Sequence, residues 1–194
     1  VYANAPKGLK GSKIKFSKIS VGATENLIIA ASFAKGETVL SNCAIEPEIK
    51  DLVNFIKCIG GKIKWIGRRT LRIQGVSNFK ETKYTVMPDR IEAGTYIIAG
   101  AVTEGNLKII GIDPNIIRTE IDILKKIGLN IKAEKNQIHI IGKKQIKNID
   151  LKTSPYPGFP TDLQAQLMVL LCKSKKHSII REEIFENRFM HVAE

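Results

Sequence analysis

A rigid loop that runs into a predicted helix carries one carboxylate able to do acid–base chemistry. Residues 153–160 contain three prolines and a glycine, and the helix begins at Thr161 or Asp162. A carboxylate fixed at such a junction could act as a general base for a hydroxyl group. Short polar side chains also commonly cap helices, so an ordinary capping role for Thr161 or Asp162 is the alternative. The spacing alone leaves both interpretations open.

A second segment, residues 184–191, crowds an acid, an amide, a guanidinium and an imidazole between apolar side chains. Its Arg188 has the planar, five-donor geometry that suits a phosphate or a carboxylate. The alternative is a solvated helix face with no ligand.

A third segment, residues 18–24, is a turn of small residues that opens an apolar helix. The amides of a helix N-terminus, with Lys18 and Ser20 beside them, could bind a phosphate. Ser20 could equally be a plain helix cap.

In a fourth segment, residues 88–95, the charged residues Asp89, Arg90 and Glu92 could line a cleft between domains or cap a helix.

The composition excludes several other classes of site. The spacings of metal-binding cysteines and histidines and the glycine-rich nucleotide motifs are all missing from the sequence, so we expect neither a metal nor a cofactor. Three cysteines cannot all pair within one chain, and we expect small buried fillers at Cys43, Cys58 and Cys172. The apolar runs are shorter than the roughly 20 residues of a membrane-spanning helix, and residues 1–11 lack the apolar core of a secretory signal. We therefore expect a cytoplasmic protein without a membrane partner.

The charge indicates an anionic partner without identifying it. The chain has 31 basic and 19 acidic residues among 194, a net charge of +12. Its lysines are dispersed and only 6% of residues are aromatic, whereas nucleic-acid binding favours a basic stripe with stacking aromatics. We therefore expect a solvated lysine-rich surface and no nucleic acid.

An internal repeat must position these four segments. An apolar helix, a strand, a helix that opens on Pro47, and two alternating strands recur about 67 to 69 residues later, where Pro114 opens the corresponding helix. A third copy begins at Thr161, with a helix over residues 162–172 and a strand over residues 178–180. The pattern predicts an α/β fold of repeated modules, with a domain boundary in residues 86–90.

The four segments, taken together, resemble the enolpyruvyl transferases, and among them the members whose acceptor is UDP-N-acetylglucosamine. The resemblance is carried, in chain order, by residues 20–24, 46–49, 88–95, 156–166 and 185–191. The last two of these segments are the most specific to the family. It covers about the middle half of a family member. The chain starts with Val1 instead of Met and stops at Glu194 inside a predicted helix, which also indicates an internal fragment.

The resemblance implies a fold of two inside-out α/β barrels, each of three modules, with the active site in the cleft between them. Residues 1–88 would be the last module of one barrel. Residues 89–194 would be the first module, and the start of the second, of the other barrel.

The resemblance also implies the reaction, in which an enolpyruvyl group moves from phosphoenolpyruvate to the 3-hydroxyl of UDP-N-acetylglucosamine, an early step of peptidoglycan synthesis. Asp162 would bind and deprotonate that hydroxyl, Ile184 would contact the nucleotide, and Arg188 would lie near phosphate. The UDP part would be bound by Lys18, Ile19, Ser20 and Val21, while Glu46, Asp89 and Arg90 would be cleft residues. The family's catalytic cysteine or aspartate, and its ligands for phosphoenolpyruvate, fall outside these 194 residues, so the fragment alone would be inactive.

Two alternatives remain. One is the transferase that uses 3-phosphoshikimate as acceptor, which shares the fold and the mechanism. The other is a basic, non-enzymatic module that binds RNA, whose affinity would fall steeply with salt.

Overall fold

The computed structural model describes Tyr2 and residues 4–193. The expectation of a helix at Glu194, and any placement of Val1, lie outside these residues. The described chain divides into two compact units, one ending at Met87 and the other beginning at Pro88. No helix in the described part combines the length and the apolar composition needed to cross a membrane.

The first unit is one mixed sheet with two helices. Its strands have the order β1-β2-β4-β3, in which β1 and β2 are parallel and the other neighbours antiparallel. Along the chain the elements are β1 Lys13–Lys15, α1 Val21–Phe33, β2 Glu37–Ser41, α2 Pro47–Cys58, β3 Lys62–Gly67 and β4 Thr70–Gln74.

Apolar and charged residues alternate along the strands of this sheet, and successive side chains of a strand point to opposite faces. One face is therefore buried and the other exposed. Ile63, Leu71 and Ile73 are buried, whereas Lys64 pairs across the ladder with Arg72 on the exposed face. Helix α2 starts on a proline, where no helical amide is lost, and buries one face in the same core.

The second unit holds a three-stranded antiparallel sheet of order β5-β7-β6 and a parallel pair, β8-β9. Its helices and strands are α3 Arg90–Val102, β5 Asn106–Ile110, α4 Arg118–Lys126, β6 Asn130–Glu134, β7 Gln137–Ile141, β8 Asp150–Lys152, α5 Gln164–Leu171 and β9 Ile179–Arg181. Short 3-10 helices cover Pro114–Ile117, Thr161–Leu163 and Met190–Ala193.

The repeated modules are confirmed, with one addition. A strand precedes the first helix in two of them: β1 leads into α1 and β2, and β8 leads into α5 and β9, so the third copy begins at Asp150 and not at Thr161. Each leading strand has only three residues, which is too short for an alternating pattern to be recognised.

The expectation of three buried cysteines was wrong in two of the three cases. Cys43 is buried, but Cys58 and Cys172 are exposed. Helix α1 is apolar nearly all round, yet Ile29 and Phe33 are 47% and 59% exposed. A helical segment does not specify by itself which of its apolar residues meet a neighbour, because the neighbouring elements decide this.

Candidate functional site

The predicted site residues of the second unit cluster where two parallel strands end. Strands β8 and β9 run side by side from Asp150↔Ile179 to Lys152↔Arg181. Thr153 follows the first strand and Glu182 the second. Ligands of α/β folds commonly bind at this carboxyl edge, because the loops leaving parallel strands meet there.

Asp162 does not cap a helix. It is the middle residue of the 3-10 helix Thr161–Leu163, whose cap position is taken by Pro160. One of its carboxylate oxygens accepts a 2.8 Å hydrogen bond from the guanidinium of Arg188, and the two side chains are 53% and 39% exposed. The capping interpretation is therefore wrong, and the carboxylate is an oriented group that solvent or a ligand can reach.

Thr161 is not a cap either. Its hydroxyl donates a 2.8 Å hydrogen bond to Oε2 of Glu182, and its side chain is buried. Because Thr161 directly precedes Asp162, this bond fixes the backbone from which the carboxylate projects.

The proline-rich loop before Asp162 is held from two sides. The Thr119 hydroxyl donates to the carbonyl of Pro157 at 2.6 Å, and the Arg90 guanidinium lies 5.7 Å from the ring centroid of Tyr156. The peptide bond between Tyr156 and Pro157 is cis. At Gly158 a Cβ atom would lie 1.8 Å from the Ser154 hydroxyl oxygen, so the close approach within the loop requires glycine.

The segment that carries Arg188 is a series of turns and not the helix face considered above, since helical structure starts only at Met190. Ile184 is half-buried in this segment. The guanidinium of Arg188 lies 5.6 Å from the ring centroid of Phe185, which gives it a cation–π contact besides its ion pair.

Glu182 is a residue of this site that the sequence analysis missed. Its partial burial favours a raised pKa, but hydrogen bonds from Thr161, from the amides of Ile184 and Phe185, and from Thr153 outweigh this effect and hold the pKa of the carboxyl below its usual range. The only signal in the sequence was an acid two residues after a predicted strand, which is too common to single out.

Asp89 and Arg90 have structural partners. The Asp89 carboxylate caps helix α3 by accepting from the amides of Ile91 and Glu92 at 2.7 and 3.2 Å. The Arg90 guanidinium forms a 3.1 Å ion pair with Glu120, and the two side chains are only 6% and 2% exposed. The structure thus supports capping for Asp89 and an internal ion pair for Arg90.

In the first unit, the segment 18–21 lies after the parallel strand β1, as the loop before Asp162 lies after β8. Ser20 caps helix α1, its hydroxyl accepting from the amide of Ala23 at 3.2 Å. Ile19 and Val21 pack against the core of the unit, and Lys18 is exposed. A Cβ atom at Gly22 would meet nothing within 4 Å, so this end of the helix is open.

Carboxylates lie near this helix end as well. Burial, followed by repulsion from Glu48 and Glu46, raises the pKa of the Glu25 carboxyl one turn into α1. Glu46 itself is buried and accepts from the amide of Ile45 at 2.8 Å. The environment of the helix end is therefore mixed in charge and not uniformly basic.

The structure thus brings together Asp162, Arg188 and the chain around Ile184 within the second unit, while residues 18–21 form their own group in the first. Among the described residues, no group of three or more histidine, cysteine or acidic side chains is placed to hold a metal ion.

Comparisons with known proteins agree with this architecture. The family model described as EPSP synthase (3-phosphoshikimate 1-carboxyvinyltransferase) matches residues 1–194. The chain belongs to this family of enolpyruvyl transferases, whose fold is an inside-out α/β barrel.

Within the family, the similarity is high to proteins named UDP-N-acetylglucosamine 1-carboxyvinyltransferase. The chain is 73% identical over all 194 residues to the one from Pelagibacter ubique (strain HTCC1062) and 50% identical to one from Clostridium acetobutylicum, in each case covering 46% of the relative. The chain therefore spans about half the length of these curated relatives.

Solved structures show the same fold. The enolpyruvyl transferase NikO from Streptomyces tendae superposes with a TM-score of 0.81 at 25% identity, over 89% of this chain and 41% of that one. EPSP synthase from Acinetobacter baumannii superposes with a TM-score of 0.58 at 19% identity, over the same shares of the two chains.

Proposed function

We propose that the protein containing this chain transfers the enolpyruvyl group of phosphoenolpyruvate to the 3-hydroxyl of UDP-N-acetylglucosamine and releases phosphate, a cytoplasmic reaction. The observation that carries the proposal is the oriented, exposed carboxylate of Asp162, within a chain 73% identical throughout to a relative of that name.

Asp162 takes the role of general base in this proposal. The hydroxyl oxygen of the sugar attacks C2 of phosphoenolpyruvate, its proton passes to the carboxylate, and C3 gains a proton from a general acid elsewhere in the complete protein. C3 then returns a proton to a base of the complete protein and the C2–O bond to phosphate breaks, which restores the double bond in the product and releases phosphate. A base needs a fixed position within hydrogen-bond reach of the proton it removes. The 2.8 Å bond from Arg188 supports such a position.

The assignment of the nucleotide contacts belongs to the same proposal. Ile184 is a half-buried apolar side chain beside the Arg188 segment and is assigned a contact with the nucleotide. In the first unit, Lys18, Ile19, Ser20 and Val21 are assigned to the UDP part. The exposed Lys18 ammonium and the open first turn of α1 support this assignment, since helix N-termini attract phosphate.

Release of phosphate tests the proposal. The product of the complete reading frame is given phosphoenolpyruvate with either UDP-N-acetylglucosamine or 3-phosphoshikimate, as wild type and as Asp162→Ala. We expect release only with the nucleotide sugar, and a loss of at least a hundredfold in the variant, the scale of a missing general base. Release that requires 3-phosphoshikimate would assign the protein to the other branch of the family. Unchanged turnover in Asp162→Ala would remove that residue from the chemistry.

A further inference from the structure

The carboxylate of Glu182 connects three segments of the chain that meet at the carboxyl edge of β8 and β9. Glu182 is the first residue after β9, and its side chain accepts four hydrogen bonds of 2.8 to 3.1 Å. Two come from the hydroxyls of Thr153 and Thr161, and two from backbone amides. The donors come from the end of β8, from the helix of Asp162 and from the segment that carries Ile184.

Oxygen Oε2 faces the helix of Asp162. It accepts from the buried hydroxyl of Thr161 at 2.8 Å, one residue before Asp162. The 3-10 helix at this point has no side-chain cap hydrogen bond. The bond from Thr161 therefore links the backbone beside Asp162 to Glu182, the first residue after β9.

Oxygen Oε1 closes the turn that follows β9. It accepts from the amides of Ile184 and Phe185 at 2.8 and 3.1 Å and from the hydroxyl of Thr153 at 2.9 Å. Thr153 in turn accepts from the amide of Glu183 at 2.9 Å. The turn and the end of β8 are therefore joined by two hydrogen bonds, both of which use the Thr153 hydroxyl.

We propose that Glu182 is the positioning residue of the nucleotide-sugar site: by holding Thr161 on one oxygen and the 182–185 turn on the other, it sets Asp162 relative to Ile184 and Arg188. This inference rests on the function proposed above. Glu182 does not itself contact the reacting atoms in this assignment; it acts through Asp162 and through the turn.

The chemistry of the side chain fits this role. An ionised carboxylate is an acceptor on both oxygens and a donor on neither, so each of the four donors meets an acceptor. Protonation would turn one oxygen into a donor facing the Thr161 hydroxyl or the amides. Hydrogen bonds to ionised groups are also stronger than those between neutral groups, which favours a single fixed geometry.

Conservative variants test the inference in the product of the complete reading frame. Glu182→Gln keeps the shape but replaces one acceptor oxygen by an NH₂ group. Thr161→Val removes the hydroxyl at constant volume, and Thr161→Ser restores it without the methyl group. Glu183→Gln is the matched control, because its side chain is exposed and meets only a surface lysine, Lys152, at 3.3 Å among the contacts described.

For Glu182→Gln and Thr161→Val we expect kcat to fall and the KM for UDP-N-acetylglucosamine to rise, each by roughly tenfold, since small displacements of a reacting group are costly. The KM for phosphoenolpyruvate should stay within about twofold. Thr161→Ser should recover most of the loss, and Glu183→Gln should behave as wild type. In an Asp162→Asn background, Glu182→Gln should add little to the loss in nucleotide-sugar affinity, because interacting sites are not additive.

Each outcome separates the two proposals. A wild type that does not use the nucleotide sugar overturns the function and this inference with it. If the wild type uses the nucleotide sugar, but Glu182→Gln only loses thermal stability and raises both KM values equally, the proposed function stands. The positioning role of Glu182 is then overturned. Equal losses in Thr161→Val and Thr161→Ser would also overturn it, since the methyl group and not the hydroxyl would then matter.

Discussion

The Arg188 guanidinium donates a 2.8 Å hydrogen bond to the Asp162 carboxylate across 26 residues of sequence. Both side chains remain partly exposed, at 39% and 53%. Ion pairs at this exposure contribute on the order of 0–1 kcal/mol to stability, because water screens the charges and two long side chains lose freedom. The pair therefore matters for the orientation of the carboxylate more than for the folded state.

Replacing Arg188 should consequently separate activity from stability. In Arg188→Met we expect a loss of turnover of at least tenfold, together with a change of less than about 1 kcal/mol in the free energy of unfolding. Phosphate release and denaturant unfolding measure the two quantities.

A second exposed ion pair supplies the control. Arg118 and Asp122 on α4 lie 3.3 Å apart, with side chains 69% and 50% exposed. Arg118→Met should cost equally little stability and leave turnover unchanged. A large loss of stability in Arg188→Met alone would mean that its pair with Asp162 is structural.

The low pKa of Glu182 predicts a pH-dependent contribution to stability. Despite the opposing effect of burial, hydrogen bonds from Thr161 and its other donors hold the folded-state pKa below the ordinary value of 4.5. The stabilisation is therefore fully present above about pH 4.5 and is lost as the pH falls through the folded-state pKa. The difference in melting temperature between wild type and Glu182→Gln should be largest near pH 6 and should shrink towards pH 3. A difference that stays constant with pH would contradict the assignment.

The sequence predicted the modules well and the site only in part, for a physical reason. Periodicity and the Pro and Gly signals are local, so they located the helices opened by Pro47 and Pro114 to within a few residues. The side-chain partners of Asp162 and Glu182 lie 21 to 29 residues away and depend on how β8 and β9 pair. Local sequence thus left a cap and a positioned carboxylate equally open at Asp162, and only the tertiary contacts distinguish them.

Gly94 lets helix α3 approach the helix of Asp162. A Cβ atom at this position would lie 2.5 Å from Leu163 Cδ1 and 3.3 Å from Ile117 Cδ1, and both of those side chains are fully buried. Gly94→Ala should therefore destabilise the fold by about 1–3 kcal/mol through overpacking, despite the better helix propensity of alanine. Because Leu163 adjoins Asp162, turnover should fall as well.

The matched substitution in helix α1 separates propensity from packing. A Cβ atom at Gly22 meets nothing within 4 Å, so Gly22→Ala should leave the free energy of unfolding unchanged or slightly raised. Thermal melts of both variants give the comparison. Equal stability of Gly94→Ala and wild type would show that the Leu163 side chain can move aside without a loss in the free energy of unfolding.

The buried pair of Arg90 and Glu120 should behave differently from the exposed pair of Arg188. Arg90→Met removes a charged partner from a carboxylate whose side chain is 2% exposed, which typically costs about 3–5 kcal/mol. The double variant Arg90→Met with Glu120→Met should recover much of that loss. Chemical denaturation of the two singles and the double gives the coupling, and additive losses would mean that the pair itself contributes nothing.

The 194-residue chain by itself should release no phosphate from phosphoenolpyruvate, with or without UDP-N-acetylglucosamine. By resemblance to the family, the ligands of phosphoenolpyruvate and the catalytic cysteine or aspartate fall outside these residues. In the proposed mechanism Asp162 removes a proton from the acceptor hydroxyl, but this has no effect on the rate unless an electrophile is bound in line with that hydroxyl. Assaying the purified chain beside the product of the complete reading frame tests this, with the Asp162→Ala variant of the latter as the blank. Turnover by the short chain above that blank would mean that its own residues bind phosphoenolpyruvate, and the division of roles proposed for Asp162, Arg188 and residues 18–21 would have to be redrawn around that site.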